Sequence, residues 1–284
     1  MKKSMIELHI SVVIMSGTAL FAKLITLPPT DIIAFRCLVA ALTLLLFTRL
    51  AGTRLGLLRR ADLGLLLLLG LLIAVHWVSF FAAVQMSGVT ISLIAIYTFP
   101  VMTVLMEPFF FNERIDRRDL TVALIVLIGV YLAVPGGIEG GRIALGAALG
   151  IFSAFLYTLR NILYRKYLSR YPSSAMMFYQ VAVAAVLLLP FVSPGIDLLT
   201  DHRWIYIIVL GVIFTAVSHT LFVDSLRTIR ASTAGLIASL EPIYGMAFAV
   251  VVLSEIPVIK TVAGGIIVVG AAVYTSVRAG RTDK

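Results

Sequence analysis

Apolar side chains fill this chain in runs of about 20 residues, the length a helix needs to cross the hydrocarbon core of a bilayer. Polar residues gather in short joints between the runs. Cut at those joints, the pattern predicts ten helices, near 5–25, 30–48, 61–85, 89–111, 118–135, 143–168, 172–192, 203–226, 231–253 and 257–278. Almost nothing remains for a water-soluble domain. Joints such as TLPPT (26–30) and MSGVT (86–90) are so short that consecutive helices must run antiparallel. Gly146 and Gly150, four apart, permit a close helix contact.

The pattern then repeats. Pro100 stands 13 residues before Glu113, and Pro242 stands 13 before Glu255. The two copies lie 142 residues apart in a chain of 284. GVTISLIAIYTFPVMTVLMEPFFFNERI matches IRASTAGLIASLEPIYGMAFAVVVLSEI, and at the same offset Phe80 meets Phe222 and Thr90 meets Ser232. Five predicted spans precede the glycine-rich PGGIEGG (135–141) and five follow it. An odd number of crossings makes the second copy enter the membrane upside down. The expectation is an all-α polytopic membrane protein with ten transmembrane helices, arranged as two inverted five-helix repeats, 1–141 and 142–284, around a central cavity.

Composition supports the membrane reading. Apolar residues make up 61% and charged residues 13%, against about a half and a quarter in soluble domains. The net charge of +9 would suit nucleic acid, but its placement does not. With the N-terminus inside, 18 of 23 basic residues fall on the cytoplasmic side, and only Lys23, Arg36, Arg142, Arg203 and Lys260 fall outside. The positive-inside rule accounts for that bias. It predicts a cytoplasmic (inner) membrane protein with both termini cytoplasmic and no nucleic-acid partner. The start MKKSMIELHI carries Glu7 and His9 in its apolar run and no small-residue cleavage site, so it reads as a retained first helix. Cys37 is the one cysteine. CxxC, HExxH, GxSxG and P-loop signatures are missing, so no metal, cofactor, catalytic residue or ATP drive is expected.

These features together resemble the drug/metabolite transporter superfamily, EamA type. The resemblance rests on two copies of a proline-to-glutamate unit followed by a Gly-rich final helix, and it covers the whole chain. It implies ten helices in two inverted five-helix halves, a central cavity and transport of metabolites without ATP. In length and aromatic content the chain is similar to the amino-acid exporters of that superfamily.

The candidate site residues are those that a membrane interior tolerates only for a reason. Glu241 sits about ten residues into its predicted helix, near the midplane at about 1.5 Å per residue. Pro242 follows and frees a backbone carbonyl one turn earlier. Glu241 can bind a substrate amine or a coupling proton, or hold helices together as a paired group. Its repeat partner is Phe99, so any such role is asymmetric. His76 lies mid-span beside Trp77 and shares a helical face with Phe80 and Ala83; His219 lies at similar depth. Either imidazole can bond substrate, relay protons or make an interhelical hydrogen bond. Tyr97 and Pro100 share one face, as do Glu241 and Tyr244, and as do Tyr157 and Asn161; Tyr179 and Gln180 sit in the seventh span. Rings with polar tips suit a cavity that stacks apolar substrate and hydrogen-bonds its polar end, though packing explains many such aromatics. Arg36 and Lys23 lie towards the external face. Either can meet a substrate carboxylate, but snorkelling to the headgroups is the cheaper reading. Arg160, Asp224 and Glu107 can act at gates or pair structurally.

The function expected is a secondary transporter, not an enzyme. It exports small amphipathic metabolites, amino acids with aromatic or apolar side chains first among them, by alternating access. The partners are that small-molecule substrate and the lipid bilayer, and a monomer is one option for the assembly. The alternatives are an exporter of another solute class (sugar, nucleotide-sugar or cationic drug) and, far behind, an intramembrane enzyme.

Overall fold

A bilayer offers no water to backbone N–H and C=O groups, so a chain this apolar must satisfy them within helices or a closed barrel. The computed structural model describes residues 2–50, 59–111, 117–133, 138–195, 203–225, 237–238 and 240–282, and those residues form helices and turns without a strand. In chain order the α-helices are α1 (Lys2–Ser16), α2 (Thr18–Leu24), α3 (Pro29–Leu50), α4 (Leu63–Ile96), α5 (Phe99–Phe111) and α6 (Arg117–Ala133). They continue as α7 (Ile138–Leu163), α8 (Ser173–Leu188), α9 (Arg203–Gly211), α10 (Ser218–Ser225), α11 (Glu241–Leu253) and α12 (Ile259–Thr282). Among the described residues, six stretches are long and apolar enough to cross a membrane: Ser4–Leu24, Pro29–Leu50, Arg60–Ile96, Gly141–Leu168, Ser173–Phe191 and Arg203–Phe222. Four shorter apolar helices accompany them. Large apolar side chains such as Leu46, Phe47, Leu124, Val251 and Ile266 are exposed on the outside of the bundle. In water that surface would be unstable; against lipid tails it is at no disadvantage.

Two predicted helices are not single pieces. The span at 89–111 is divided at Tyr97 and Thr98, where α4 ends and α5 begins. The span at 231–253 is described only from residue 237, and Leu240 lies in a turn before α11. Glu113 and Ser232, which carry part of the sequence repeat, lie outside the described residues. The joint expected at 86–90 shrinks to one residue. Gly88 has φ 83° and ψ 169°, and helix continues on both sides of it. That backbone conformation is open essentially to glycine alone.

Packing follows the small residues. At Gly146 an added Cβ would stand 2.7 Å from the Ser87 Cβ, and at Gly150 2.6 Å from the Ala95 Cβ. The glycine pair expected to permit close contact thus seats α7 along α4. Gly264 lets α12 meet α6, since a Cβ there would lie 2.4 Å from the Gly129 carbonyl oxygen. Helix α3 packs on α8 and α9, and α1 packs on α10 and α11.

Both ends of the bundle are tied across the chain's midpoint. At one end Glu255 accepts the Val89 and Thr90 N–H groups at 3.0 and 2.9 Å. A carboxylate there satisfies donors that a helix start leaves free and complements its dipole. The Ser193 N–H reaches Asp31 at 3.1 Å at the same end. At the other end Arg170 pairs with Asp62 at 2.5 Å, Tyr171 donates to Asp62, and Arg165 pairs with Glu107.

Candidate functional site

Between these tied ends lies a cavity of about 70 Å³. Its wall is Met15, Thr18, Arg36, His76, Trp77, Phe80, Ile96, Tyr97, Phe99, Tyr157, His219, Phe222, Ala238 and Glu241. That volume suits a few waters; pockets for small ligands run to about 300 Å³ and more. A metabolite can be held here only after the helices part.

The site is built where the two interrupted helices meet. Pro242 has no N–H, so the Ala238 carbonyl loses the donor that a continuous helix would give it. Tyr97, at the break between α4 and α5, supplies the replacement: its hydroxyl lies 2.5 Å from the Ala238 oxygen. The freed carbonyl expected from the sequence is therefore present, and it is used. The same hydroxyl lies 2.5 Å from Glu241 Oε2. A phenol has one proton, and a carbonyl can only accept. Both contacts are two-centre hydrogen bonds when Glu241 carries a proton and donates it to Tyr97; when Glu241 is ionised the phenol shares its one proton between the two oxygens. The prolines themselves do not interrupt helices from within. Pro100 and Pro242 each occupy the second position of a helix that starts just before them, at Phe99 and at Glu241. A proline is well tolerated there because its missing N–H would have had no helical partner.

The histidines are held differently. His76 Nδ1 lies 2.7 Å from Ser153 Oγ and 3.0 Å from the Ser153 carbonyl, which ties α4 to α7. Its ring stacks on Tyr157 with centroids 4.9 Å apart, and Tyr157 meets Phe99 edge-on at 5.2 Å. His219 meets Trp77 at 5.6 Å. Phe80 completes this aromatic wall.

Of the residues singled out from the sequence, His76, Trp77, Phe80, Tyr97, Tyr157, His219 and Glu241 line the cavity. Pro100, Asn161, Tyr179, Gln180, Pro242 and Tyr244 do not. Arg160 is buried and bonds both Gln180 Oε1 at 2.7 Å and Asn161 Oδ1 at 2.8 Å, so those two amides serve it in this conformation. Tyr179 packs with Leu66, Leu69 and Met176, and Tyr244 packs with Leu8, Val12 and Ile237. Lys23 is exposed, as snorkelling requires. Arg36 is not. It is wholly buried and lines the cavity, with its guanidinium 4.3 Å over the Trp77 ring. The cheaper reading of Arg36 as a headgroup anchor is thus corrected. The signal was its depth, two turns into the second span, beyond an easy reach to the surface.

Sequence reasoning also passed over Met15, Thr18, Ile96, Phe99, Phe222 and Ala238 as lining residues. Ten of the fourteen form five pairs separated by 142 residues: Met15 with Tyr157, Trp77 with His219, Phe80 with Phe222, Ile96 with Ala238, and Phe99 with Glu241. The repeat offset, applied to each candidate in turn, would have found Met15, Phe99 and Phe222; Ile96 and Ala238 pair only with each other.

The model of the EamA-like transporter family matches residues 3–134 and again residues 144–277, and this chain belongs to that family. It is a multi-pass membrane protein. Among its relatives is "Uncharacterized transporter YxxF" of Bacillus subtilis, 26% identical over 249 residues, covering 84% of this chain and 78% of the relative. The "Pseudopaline exporter CntI" of Pseudomonas aeruginosa is 24% identical over 256 residues, covering 88% and 87%. A "Probable amino-acid metabolite efflux pump" of Salmonella typhimurium is 25% identical over 191 residues, or 62% of each chain. The fold also matches a crystal structure at TM-score 0.69 and 17% identity, over 100% of this chain and 99% of the other. Family and relatives point to a transporter rather than an enzyme.

Proposed function

We propose that this protein exports small amphipathic metabolites, amino acids with aromatic or apolar side chains first among them, by alternating access. The observation that carries the reading is the cavity itself. It is walled by aromatic rings, has a carboxyl group at a helix break, and sits between bundle ends that are each tied by polar contacts. Rings accept an apolar side chain, and Glu241 can exchange its proton for a substrate ammonium. Opening one tied end while the other holds would present the cavity to one side at a time.

Ten spans in two inverted halves, 1–141 and 142–284, fit this mechanism. The twofold family match and the five lining pairs at a constant offset support that arrangement. So does the packing: α3 on α8 and α6 on α12 each join elements that the offset relates. Inverted repeats of this kind alternate access by rocking one half against the other around a fixed site. With both termini cytoplasmic, in the inner membrane, a cysteine at Arg59 or Arg117 is shielded from an impermeant thiol reagent added outside intact cells. One at Pro194 is labelled. The tests use a Cys37→Ala background, and labelling of Arg117→Cys from outside would overturn the orientation.

Glu241 in an aromatic cavity also favours a second reading, export of organic cations. A counterflow screen in proteoliposomes separates the two. Vesicles preloaded with amino acids, sugars or cationic drugs are tested at two pH values for uptake of the labelled solute. Uptake is expected with the apolar amino acids; uptake confined to sugars or cations would sink the substrate class proposed.

A further inference from the structure

Arg36 presents an unusual arrangement for a cation in the middle of an apolar bundle. Its side chain is fully buried. Nε donates to Thr215 Oγ1 at 2.6 Å. Nη1 and Nη2 are buried and have no hydrogen-bond partner among the described residues. Among the described residues it has no ion pair, and Glu241, on the same cavity wall, is not within pairing distance. A buried charge left with two unbonded amino groups is costly, so the fold must hold it there for an absent partner or against its own stability.

The fold does hold it. The turn Val212–Val217 is π-helical, which lets Thr215 donate its own proton to the Leu210 carbonyl at 2.7 Å. The lone pairs of Thr215 Oγ1 are then free to accept from Arg36. Gly211 brings α9 onto α3 at this level: a Cβ there would lie 2.6 Å from Val39 Cγ1 and 3.1 Å from the Arg36 carbonyl oxygen. Trp77 covers one face of the guanidinium at 4.3 Å, and Phe81 lies 5.7 Å away. Face and Nε edge are fixed, and the Nη edge is left unused on a residue that lines the cavity.

We infer that the Nη1–Nη2 edge of Arg36 is the binding site for the carboxylate of the transported solute. A guanidinium edge offers two parallel N–H donors that match a planar carboxylate. The same match disfavours a solute that carries only positive charge, because Arg36 would then stay unpaired beside a second cation. The site therefore selects carboxylic acids and amino acids over amines and amides of the same shape. His76 and His219 are the other titratable groups on this wall besides Tyr97, Tyr157 and Glu241. Arg36 is the one arginine or lysine in the described wall, so the carboxylate has one anchor. This assignment deepens the export reading and rests on it for the word solute, but carboxylate binding can be measured without any flux.

The test uses phenylacetate, phenylacetamide and phenethylamine with the purified full-length protein in detergent. Phenylacetate raises the melting temperature; the amide and the amine do not. Arg36→Gln removes the rise, and Arg36→Lys, which keeps the charge but loses the fork, retains only part of it. In proteoliposomes, phenylalanine exchanges at least tenfold faster than phenylalaninamide, and Arg36→Gln abolishes that preference. If Arg36→Gln does not fold, the comparison of ligands on the unmodified protein decides by itself. Equal melting shifts from phenylacetate and phenylacetamide, or no shift from either, would overturn the assignment. A phenylacetate shift with no flux of any solute would uphold it and instead refute the transport reading.

Discussion

Glu241→Gln should leave the protein folded, cut its flux about tenfold or more, an effect worth ~1.4 kcal/mol per decade, and flatten the pH dependence of the remainder. The glutamine amide can still donate to Tyr97, so the contact that joins the two broken helices survives. What disappears is a group that can give up its proton and then pair with a substrate ammonium. The neighbours that face it are Tyr97, Tyr157, Arg36, His76 and His219. A residual pH dependence in the mutant would be theirs. A purely structural glutamate behaves differently: Glu241→Gln would melt lower, yet surviving protein would carry solute with an unchanged pH profile. Counterflow at several pH values and a melting curve on the same preparation separate the two.

Gly88→Ala should be the most damaging of the small glycine changes. Any side chain at φ 83° and ψ 169° costs about 1–3 kcal/mol in backbone strain alone. An added Cβ would also stand 2.8 Å from Glu255 Oε1. That carboxylate caps the Val89 and Thr90 N–H groups, so strain and the loss of the tie between 88–90 and 255 fall together. The expected result is a clear fall in melting temperature, and Glu255→Gln should reproduce part of it. Gly64→Ala is the control. It lies at the start of α4 with open space around it, so its melting point should hold or rise slightly. Equal melting of Gly88→Ala and the parent protein would mean that the turn at Gly88 is not the one described.

How far the sequence reached depended on what each residue's neighbours had to be. Apolar runs made most helices readable because length and hydrophobicity suffice for a span. Pro242 and the carbonyl it frees were readable because a missing N–H is a covalent fact. That Tyr97 would take up the Ala238 carbonyl was not, since it depends on which two helices cross at their breaks. The placement of the prolines in first turns, rather than mid-helix, was hidden for the same reason: the apolar run continues past Tyr97 and Thr98 with no charged residue to mark the break. Arg36 shows the limit most plainly. Its depth was legible, but whether it turned to lipid or to the cavity depends on Gly211 and on the π-turn that presents Thr215. Asn161 and Gln180 were marked as polar groups inside spans, which they are; Arg160 engages Asn161 within α7 and Gln180 across the contact of α7 with α8, and that contact has no local signature. The repeat offset, used to find the two halves, could also have been used on the site, because it relates lining residues that share no chemistry, such as Trp77 and His219.

Alternating access of the central cavity is most directly tested by a thiol placed in its wall. Met15→Cys, in a Cys37→Ala background, is treated with an impermeant thiol reagent in right-side-out and in inside-out membrane vesicles. A cavity that opens to each side in turn gives labelling in both preparations, and saturating phenylalanine slows the labelling in each. Labelling from one side only, or from neither, would contradict transport through this cavity.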